Sequence, residues 1–352
     1  MNSKIQCPIC YKNKAKVFNN STFFYRSFTY DKRKGLYNNY LCPDCGLIWQ
    51  NPQPSEKELS EIYADQYRKS PHTVSYFKKS LDIPIQLKES QNSFLRSQAF
   101  FNIFKELNLS LPTKGKILDL GGYQGLFAWA LASFTGLKAK IIDFNKSGLK
   151  FASGFLGIEV QQISKSIRES LLENTKNSFS IISMIHSLEH MRNPMEVVKL
   201  SAELLQNDGY LYIEVPNSLG SGLNDPTHLY TFNKNSLYLM LISNNLNPIY
   251  IESGSIAHEA EPEFTNDRVV IRALSQKTTF ANKDIRKSSN LNYKKIIYRS
   301  LFFASVNTIN QMITDLFKKT IGIIYKILGW ILYDFFPFGK QLFHTLRNLV
   351  RR

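Results

Sequence analysis

Four cysteines in two closely spaced pairs constrain the fold of this chain more than any other feature. Cys7 and Cys10 form one C-x-x-C pair, Cys42 and Cys45 form the other, and each pair has a proline after its first cysteine. Such a turn presents two thiolates from one short loop, so two turns supply the four sulfur ligands of a tetrahedral zinc ion. We predict a zinc ribbon, with a thioredoxin-like redox pair as the competing interpretation.

The predicted zinc is structural rather than catalytic. Four thiolates fill the coordination sphere and leave no position for water or substrate. The sequence has no fifth cysteine for a disulfide, and its first six residues contain no apolar run typical of a signal peptide. We therefore expect a cytoplasmic protein with reduced cysteines.

The positive charge of the chain is concentrated near its C-terminal end. The formal net charge is +16, and the residues from Lys283 onward contain thirteen Lys or Arg against three Asp. This excess favours an anionic partner, whether a nucleic acid, a phosphorylated sugar or a membrane surface. Its location in the last fifth of the chain points to a function of the tail and away from a basic active-site cleft.

Residues 276–352 are predicted to form a basic linker and an apolar helical tail. The run 321–338 is apolar except for a few residues, among them Lys326 and Asp334, which makes it marginal for spanning a bilayer. An interfacial helix with a basic end, making peripheral contact with the inner face of the membrane, is one interpretation of residues 321–352. A helical hairpin packed on the main domain is the other.

A change of hydrophobic pattern divides the remaining chain. Residues 1–69 are predicted to hold the zinc ribbon and an exit helix, and the polar residues 70–92 a linker or lid. After a helical apolar stripe over 92–109, strand-like runs alternate with helical runs. This order predicts a doubly wound, Rossmann-like α/β sheet in a domain spanning 93–275. Its predicted strands are 116–120, 138–143, 179–185 and 210–215, closed by an antiparallel pair over 248–253 and 268–274.

The first strand of that sheet ends in a loop suited to a positively charged ligand. Asp119 precedes Gly121, Gly122 and Gly125, and Asp143 ends the next strand. Glycines let a ligand approach the backbone, and a carboxylate at the second strand end can accept both hydroxyls of a ribose. The spacing does not match the G-x-G-x-x-G of dinucleotide-binding loops, and Asp119 would repel a pyrophosphate. It suits the methionyl cation of S-adenosylmethionine, although a plain strand-to-helix turn is an alternative.

Several segments resemble class I S-adenosylmethionine-dependent methyltransferases, in the order in which that family carries them. Residues 117–125 (ILDLGGYQG) resemble its first motif, 179–190 (FSIISMIHSLEH) its fourth strand, and 204–217 its fifth-strand region. The segment 228–237 and the cysteine-rich N-terminal region are similar to bacterial sugar methyltransferases. The resemblance implies a seven-stranded sheet that binds S-adenosylmethionine. It also implies methyl transfer to a nucleotide- or lipid-linked sugar or glycan precursor, in surface polysaccharide or natural-product sugar biosynthesis.

Two positions depart from the family pattern. Tyr123 stands where the family loop usually has glycine, so its backbone must adopt glycine-like angles and its ring has to avoid the cofactor. After the third predicted strand, around 160–164, no persuasive carboxylate is present to bind the adenine amine. The acidic and glycine residues of the loop nevertheless lead us to expect S-adenosylmethionine binding.

Histidine is the side chain best suited to accept the proton that methyl transfer releases. We expect His228 and His186 to be catalytic, because His228 lies in the loop after the fifth strand and His186 at the end of the fourth. His186 would also face the cofactor. His190 is interpreted as structural, and Tyr230 is a weaker candidate.

The favoured interpretation is an enzyme that acts on a small anionic sugar substrate. Tyr63 and Tyr67 are interpreted as packing residues, with closure over that substrate as the alternative. Zinc ribbons and positive charge also occur in nucleic-acid-binding and RNA-modifying proteins, but no arginine-rich stripe lies near the predicted site. Because Tyr123 allows a closed cofactor loop, a non-catalytic scaffold is the third class.

Overall fold

The computed structural model describes residues 5–20, 37–61, 63, 85–218, 227–254 and 270–277. Their strands form two sheets, one of four strands in the order β1-β2-β3-β9 and one of seven in the order β10-β11-β8-β7-β4-β5-β6. The strands are β1 Lys16–Asn20, β2 Asn38–Leu41, β3 Ile48–Asn51, β4 Lys116–Leu120, β5 Lys138–Asp143, β6 Glu159–Gln162, β7 Phe179–Ile185, β8 Leu205–Pro216, β9 Tyr230–Thr231, β10 Leu246–Gly254 and β11 Val270–Lys277.

Helices precede and connect the strands of the larger sheet. They are α1 Glu56–Glu61, α2 Ile85–Glu106, α3 Leu126–Thr135, α4 Lys146–Phe155, α5 Ile167–Leu172, α6 Pro194–Leu204 and α7 Lys234–Ile242, with a short 3₁₀ turn over Leu188–His190. Their starts follow from local sequence. Asn145 accepts a hydrogen bond from the Gly148 N–H at the start of α4, and Asn233 and Ser236 form a reciprocal capping box at the start of α7.

The seven-stranded sheet confirms the predicted α/β class. Strands β6, β5, β4, β7 and β8 run parallel, and β11 and β10 add an antiparallel edge. The strand β7 is buried along nearly its whole length, as expected of a central strand covered on both faces. The carboxyl ends of the five parallel strands meet at one edge of the sheet, together with the start of β11, because Val270 pairs with Pro216. That edge carries the candidate site.

The predicted linker or lid over 70–92 is wrong in its last residues. The helix α2 begins at Ile85, seven residues before the predicted apolar stripe. The sequence between Pro84 and Asn92 contains the strong helix formers Leu, Lys, Glu and Gln, so the polar composition that suggested a linker is compatible with a helix. Residues 64–84 lie outside the described residues, as does the predicted tail over 276–352 apart from its first two residues, which end β11.

The small sheet joins the cysteine-rich region to the segment that carries His228. Strand β3 pairs with β9 through Ile48 and Thr231 and through Trp49 and Tyr230. The backbone N–H of Gln50 donates to the Leu229 carbonyl, and its side-chain amide donates to the His228 carbonyl over 3.0 Å. The position of His228 therefore depends on the N-terminal region.

No helix within the described ranges is both long and apolar enough to span a bilayer.

Candidate active site and metal centres

The four cysteines come together as the spacing predicted. The Sγ atoms of Cys7 and Cys45 are 3.5 Å apart, as are those of Cys10 and Cys42. All four sulfurs lie within 4.8 Å of one another, and three of the four residues are fully buried. Four sulfurs about 2.3 Å from a central zinc ion would be about 3.8 Å apart, so the group fits such an ion. Zinc at this cysteine cluster stays a prediction.

The second cysteine turn is held against α7. The Gly46 N–H donates to the Cys42 carbonyl over 2.8 Å, and Gly46 has a left-handed φ of 74°. A Cβ atom at Gly46 would lie 2.4 Å from Asn233 Nδ2, so no larger residue fits here. Asn233 caps α7 and also donates to the Cys45 carbonyl over 3.1 Å. Asn233 therefore attaches the second cysteine turn to the start of α7, the helix that precedes β10 of the larger sheet.

The predicted cofactor loop follows β4 and leads into α3. Gly121 and Gly125 have left-handed φ angles of 77° and 74°, and Gly125 is the N-cap of α3. Tyr123 has φ 49°, so it adopts the glycine-like conformation that the sequence required of it. Its ring lies over the start of α4, where a Cβ on Gly148 would be 2.5 Å from Tyr123 Cδ2.

The two predicted cofactor carboxylates already have partners within the chain. One oxygen of Asp143 accepts from the Tyr123 N–H over 2.9 Å, and the other from the Asn145 N–H over 2.7 Å. Asp119 is buried and accepts from Ser183 Oγ over 2.7 Å. Burial and the nearby Asp143 raise the pKa of Asp119 to about 7, against the lowering effect of the Ser183 hydrogen bond.

A second group of ionisable side chains lies next to this loop. Its centre is Glu189, a fully buried carboxylate in the 3₁₀ turn after β7. Glu189 Oε1 is 3.5 Å from His186 Nδ1, 3.7 Å from His190 Nε2 and 4.0 Å from His228 Nε2. These four residues are referred to below as the Glu189 cluster. Ser187, within the same segment, donates to the Leu120 carbonyl over 2.7 Å and so holds the cluster against the glycine loop.

Charges within the Glu189 cluster shift the pKa values of its members. Burial alone would raise the pKa of Glu189, but the imidazoles of His190, His186 and His228 lower it to about 2. Burial alone would lower the pKa of His186, but the carboxylates of Glu189 and Glu214 raise it. The cluster therefore favours an ionised Glu189 carboxylate and the protonated form of His186.

A tyrosine of the N-terminal region completes the surroundings of His190. The Nδ1 atom of His190 is 2.8 Å from Tyr63 Oη and 2.9 Å from the Thr227 carbonyl oxygen. The Tyr63 ring also stacks on Phe144, directly after Asp143, with ring centroids 6.3 Å apart. Tyr63 thus packs between the predicted cofactor edge and the Glu189 cluster, whereas Tyr67 lies outside the described residues.

A buried ionic network supports the cluster from the other side. Glu214, fully buried near the end of β8, accepts from Arg96 Nε and from Arg272 Nε, each over 2.8 Å. Its Oε1 atom is 3.2 Å from His186 Nε2. The carboxylate is therefore charged, and it fixes the side of His186 that faces away from Glu189.

Three of the predicted residues lie around Glu189, and Tyr230 does not. His186 and His190 come from the segment after β7, and His228 comes from the segment before β9. The hydroxyl of Tyr230 instead donates to the Arg192 carbonyl over 2.9 Å, and the residue is buried. Tyr230 therefore has a packing role, contrary to its place among the candidates. Sequence reasoning missed Glu189 as the centre of the group, although the L-E-H stretch contains it.

Comparison with known proteins agrees with the fold and the loop. Residues 93–250 match the model of a methyltransferase domain. A ubiquinone biosynthesis O-methyltransferase of Salmonella paratyphi A is 26% identical over 109 residues, which are 30% of this chain and 44% of that protein. The chain thus spans less than half the length of this curated relative.

Solved structures of similar shape include two S-adenosylmethionine-dependent methyltransferases. One, from Archaeoglobus fulgidus, has 18% identity and a TM-score of 0.42, with 51% of this chain and 94% of that chain covered. The other, from Aquifex aeolicus, has 15% identity and a TM-score of 0.41, with 58% and 98% covered. Together with the seven-stranded sheet, the matched family model identifies residues 93–250 as a class I methyltransferase domain.

Proposed function

We propose that this protein is an S-adenosylmethionine-dependent methyltransferase whose acceptor is a hydroxyl of a sugar or glycan precursor. The observation that carries the proposal is the contact between the two parts of the site. The glycine loop after β4 packs on Ser187, and a Cβ at Gly121 would be 2.5 Å from Ser187 Cβ. The proton-binding Glu189 cluster begins at the neighbouring residue.

The residues at the loop fit the cofactor that the fold implies. S-adenosylmethionine supplies an electrophilic methyl group on a positively charged sulfur. We expect the buried acid Asp119 and the glycines 121, 122 and 125 to face its methionyl part, and Asp143 its ribose hydroxyls. A Cβ at Gly122 would lie 2.5 Å from Asp119 Oδ2, which is why a close approach at this point requires glycine.

The histidines provide the proton acceptor. A base must lie within hydrogen-bond reach of the acceptor hydroxyl, and His228 lies in the segment directly before β9, with its Nε2 atom facing Glu189. Glu189 lies behind its Nε2 atom at 4.0 Å, where a carboxylate stabilises a protonated imidazole. His186 lies between the carboxylates of Glu189 and Glu214. We therefore expect it to hold a positive charge next to the cofactor edge rather than to accept the proton of the acceptor hydroxyl.

One observation supports an oxygen acceptor, since the curated relative is named as an O-methyltransferase. Most of the net charge of +16 lies in the last fifth of the chain, so it supports a function of the tail and does not bear on the charge of the sugar. The small sheet also places the cysteine-rich region beside the His228 segment, where it would help to enclose a small substrate.

Calorimetric titration of the zinc-loaded protein with S-adenosylmethionine is the first test. We expect binding in the micromolar range, followed by methyl transfer to one of a panel of nucleotide sugars and by a loss of about 100-fold in kcat for His228→Ala. A folded protein that does not bind the cofactor would contradict the proposal and favour a scaffold. Retention on RNA that falls steeply with salt, without sugar turnover, would favour a nucleic-acid substrate.

The basic and apolar residues 321–352 suggest a second partner, a cytoplasmic membrane surface where lipid-linked glycans are assembled. Deletion from Ile321 onward should release the protein from membrane fractions while leaving S-adenosylmethionine affinity unchanged. Sedimentation with vesicles containing anionic lipid measures this. A truncated protein that still sediments with the vesicles would disprove the membrane role.

A further inference from the structure

We propose that Glu189, His190 and His228 form a second metal site, specific for a divalent transition-metal ion and distinct from the cysteine cluster. One carboxylate oxygen and two imidazole nitrogens of these residues lie within 4.8 Å of one another. They come from the 3₁₀ turn after β7 and from the segment before β9, so only the folded chain assembles them. The site itself is inferred from this geometry alone and does not depend on the proposed reaction.

The spacing of the three ligand atoms favours an ion over direct hydrogen bonds. Glu189 Oε1 is 3.7 Å from His190 Nε2 and 4.0 Å from His228 Nε2, whereas N–H···O bonds are about 2.7–3.2 Å long. Two ligand atoms each about 2.1 Å from one ion would be about 3.0 Å apart at octahedral angles and about 3.4 Å apart at tetrahedral angles. The distances of 3.7 Å and 4.0 Å from Glu189 Oε1 would therefore shorten by about 0.3–1.0 Å around an ion.

The carboxylate at the centre of the group also has no close hydrogen-bond partner among the described residues, since its nearest imidazole nitrogen, His186 Nδ1, is 3.5 Å away. Glu189 is fully buried, and neither of its oxygens has a hydrogen-bond partner among the residues that the structure describes. Leaving a buried carboxylate without hydrogen bonds costs several kcal/mol, roughly, unless a cation lies close to it. A divalent ion held between Glu189 and the two imidazoles would provide that cation.

The environment of His190 favours a ligand role for its Nε2 atom. Its Nδ1 atom lies 2.9 Å from the Thr227 carbonyl oxygen, which can only accept, and 2.8 Å from Tyr63 Oη. The Tyr63 hydroxyl donates to the same carbonyl over 3.3 Å, so we assign the ring proton to His190 Nδ1. The lone pair of a neutral ring is then on Nε2, directed at the Glu189 side of the site. A histidine whose second nitrogen donates to a backbone carbonyl is the usual arrangement around protein-bound metals.

The donor set indicates the kind of ion. Two imidazoles and one carboxylate suit Mn²⁺, Fe²⁺, Co²⁺, Ni²⁺ or Zn²⁺ better than Ca²⁺, which prefers oxygen ligands only. Three protein ligands leave coordination positions open, in contrast to the four thiolates of the cysteine cluster. His228 cannot accept a proton through Nε2 while that atom holds an ion. If methyl transfer proceeds with the ion bound, hydroxide on the ion would be the group that accepts the proton, becoming water.

Manganese is the probe of choice, because thiolates discriminate against it and the cysteine cluster can be filled with zinc beforehand. Full-length protein loaded with a single equivalent of zinc, which the four thiolates take in preference to the mixed site, should remove one equivalent of Mn²⁺ from solution with micromolar affinity. The loss of the electron paramagnetic resonance signal of free Mn²⁺ measures this. Glu189→Gln and His228→Ala should each weaken this binding by at least about tenfold. Glu196→Gln, a partly exposed carboxylate on α6, is the matched control and should bind as the wild type does.

Equal Mn²⁺ binding by wild type and Glu189→Gln, or none by either, would overturn the metal site. Circular dichroism and zinc content verify that each variant is folded. If Glu189→Gln does not fold, the comparison of wild type with His228→Ala tests the site instead. Titration of the same samples with S-adenosylmethionine separates the two proposals. Cofactor binding without Mn²⁺ binding would support the methyltransferase function and contradict the metal site. Mn²⁺ binding without cofactor binding would support the metal site and contradict the methyltransferase function.

Discussion

The cysteine cluster and the Glu189 cluster show two ways of bringing ionisable side chains together in one chain. The cysteine cluster consists of two local turns with one ligand type, and three of its four residues are fully buried. The Glu189 cluster mixes a carboxylate with three imidazoles, and the His186 side chain is 27% exposed. Identical ligands that fill a tetrahedron suit a structural ion, whereas mixed, partly accessible groups suit chemistry.

The two clusters are nevertheless connected. Strand β3 leaves the second cysteine turn and pairs with β9, next to His228, and Tyr63 of the N-terminal region contacts His190. A structural ion at the cysteine cluster would thus support the position of the Glu189 cluster. We expect substitutions to have decreasing effects in the order Cys42 of the cysteine cluster, Asp119 outside both clusters, Glu189, and Tyr63 between the two clusters.

The largest effect is expected from loss of the cysteine cluster. Cys42→Ser, or removal of zinc by a chelator, should lower stability by at least about 3 kcal/mol, because a structural zinc ion contributes folding free energy directly. The midpoint of urea unfolding measures the change, and re-addition of zinc to the chelated wild type should restore it. Unchanged unfolding after the metal is shown to be gone would contradict a structural role.

Asp119 is a reference carboxylate outside both clusters. Its pKa is about 7 in the folded protein against an ordinary 3.8, so the folded state holds a proton that the unfolded state has lost. Stability should therefore fall as pH rises from about 4 to about 7, by at most about 4 kcal/mol, and Asp119→Asn should remove this dependence. Unfolding at several pH values tests it.

Asp208→Asn is the matched control for this pH series, because Asp208 is exposed and already in a left-handed conformation that asparagine accepts. It should keep the wild-type pH dependence. The same slope in Asp119→Asn would show that another group is responsible.

Removal of the Glu189 charge should lower the activity and leave zinc binding at the cysteine cluster unchanged. We expect Glu189→Gln to lower kcat by about 100-fold, because an amide neither stabilises a protonated imidazole nor holds a cation. Zinc content should stay at the wild-type level. Steady-state kinetics and metal analysis measure both, with Glu196→Gln as control. A loss of zinc in Glu189→Gln would mean that the cysteine cluster depends on this carboxylate.

The smallest effect is expected from the contact between the clusters. Tyr63→Phe removes the hydroxyl that lies 2.8 Å from His190 Nδ1 but keeps the ring on Phe144. One hydrogen bond contributes about 1 kcal/mol. The equilibrium constant of folding and kcat/KM should therefore each fall only a few-fold. Tyr40→Phe, on β2, is the control. Identical behaviour of the two variants would indicate that Tyr63 only packs.

Local patterns predicted much of the fold. The strands β4, β5 and β7 have the predicted bounds, because each is a short apolar run whose buried residues leave little choice of length. The polar start of α2 was assigned to a linker, since composition alone does not distinguish an exposed helix from a loop. For the site, Gly121 and Gly125 were recognised from their place after Asp119 and from the resemblance to the first motif, and the structure gives both of them left-handed conformations.

The ionic contacts could not be predicted in the same way. Arg96 and Arg272 meet Glu214 across 118 and 58 residues of sequence, and no local signal marks such pairs. Glu189 was treated as part of a structural stretch, because its burial and its three histidine neighbours exist only after β7, the turn and the His228 segment pack together. Burial is what makes these charges chemically important, and burial is a property of the fold.

Sequence alone therefore determined the cysteine turns, the order of the strands and the glycine loop. Each depends on residues close together in the chain and on backbone geometry that few side chains permit. Only the tertiary structure decided that Tyr63, Glu189 and His228 share one site and that Tyr230 does not. Those relations depend on how separate segments pack, which is determined by the sum of many weak contacts rather than by any single residue.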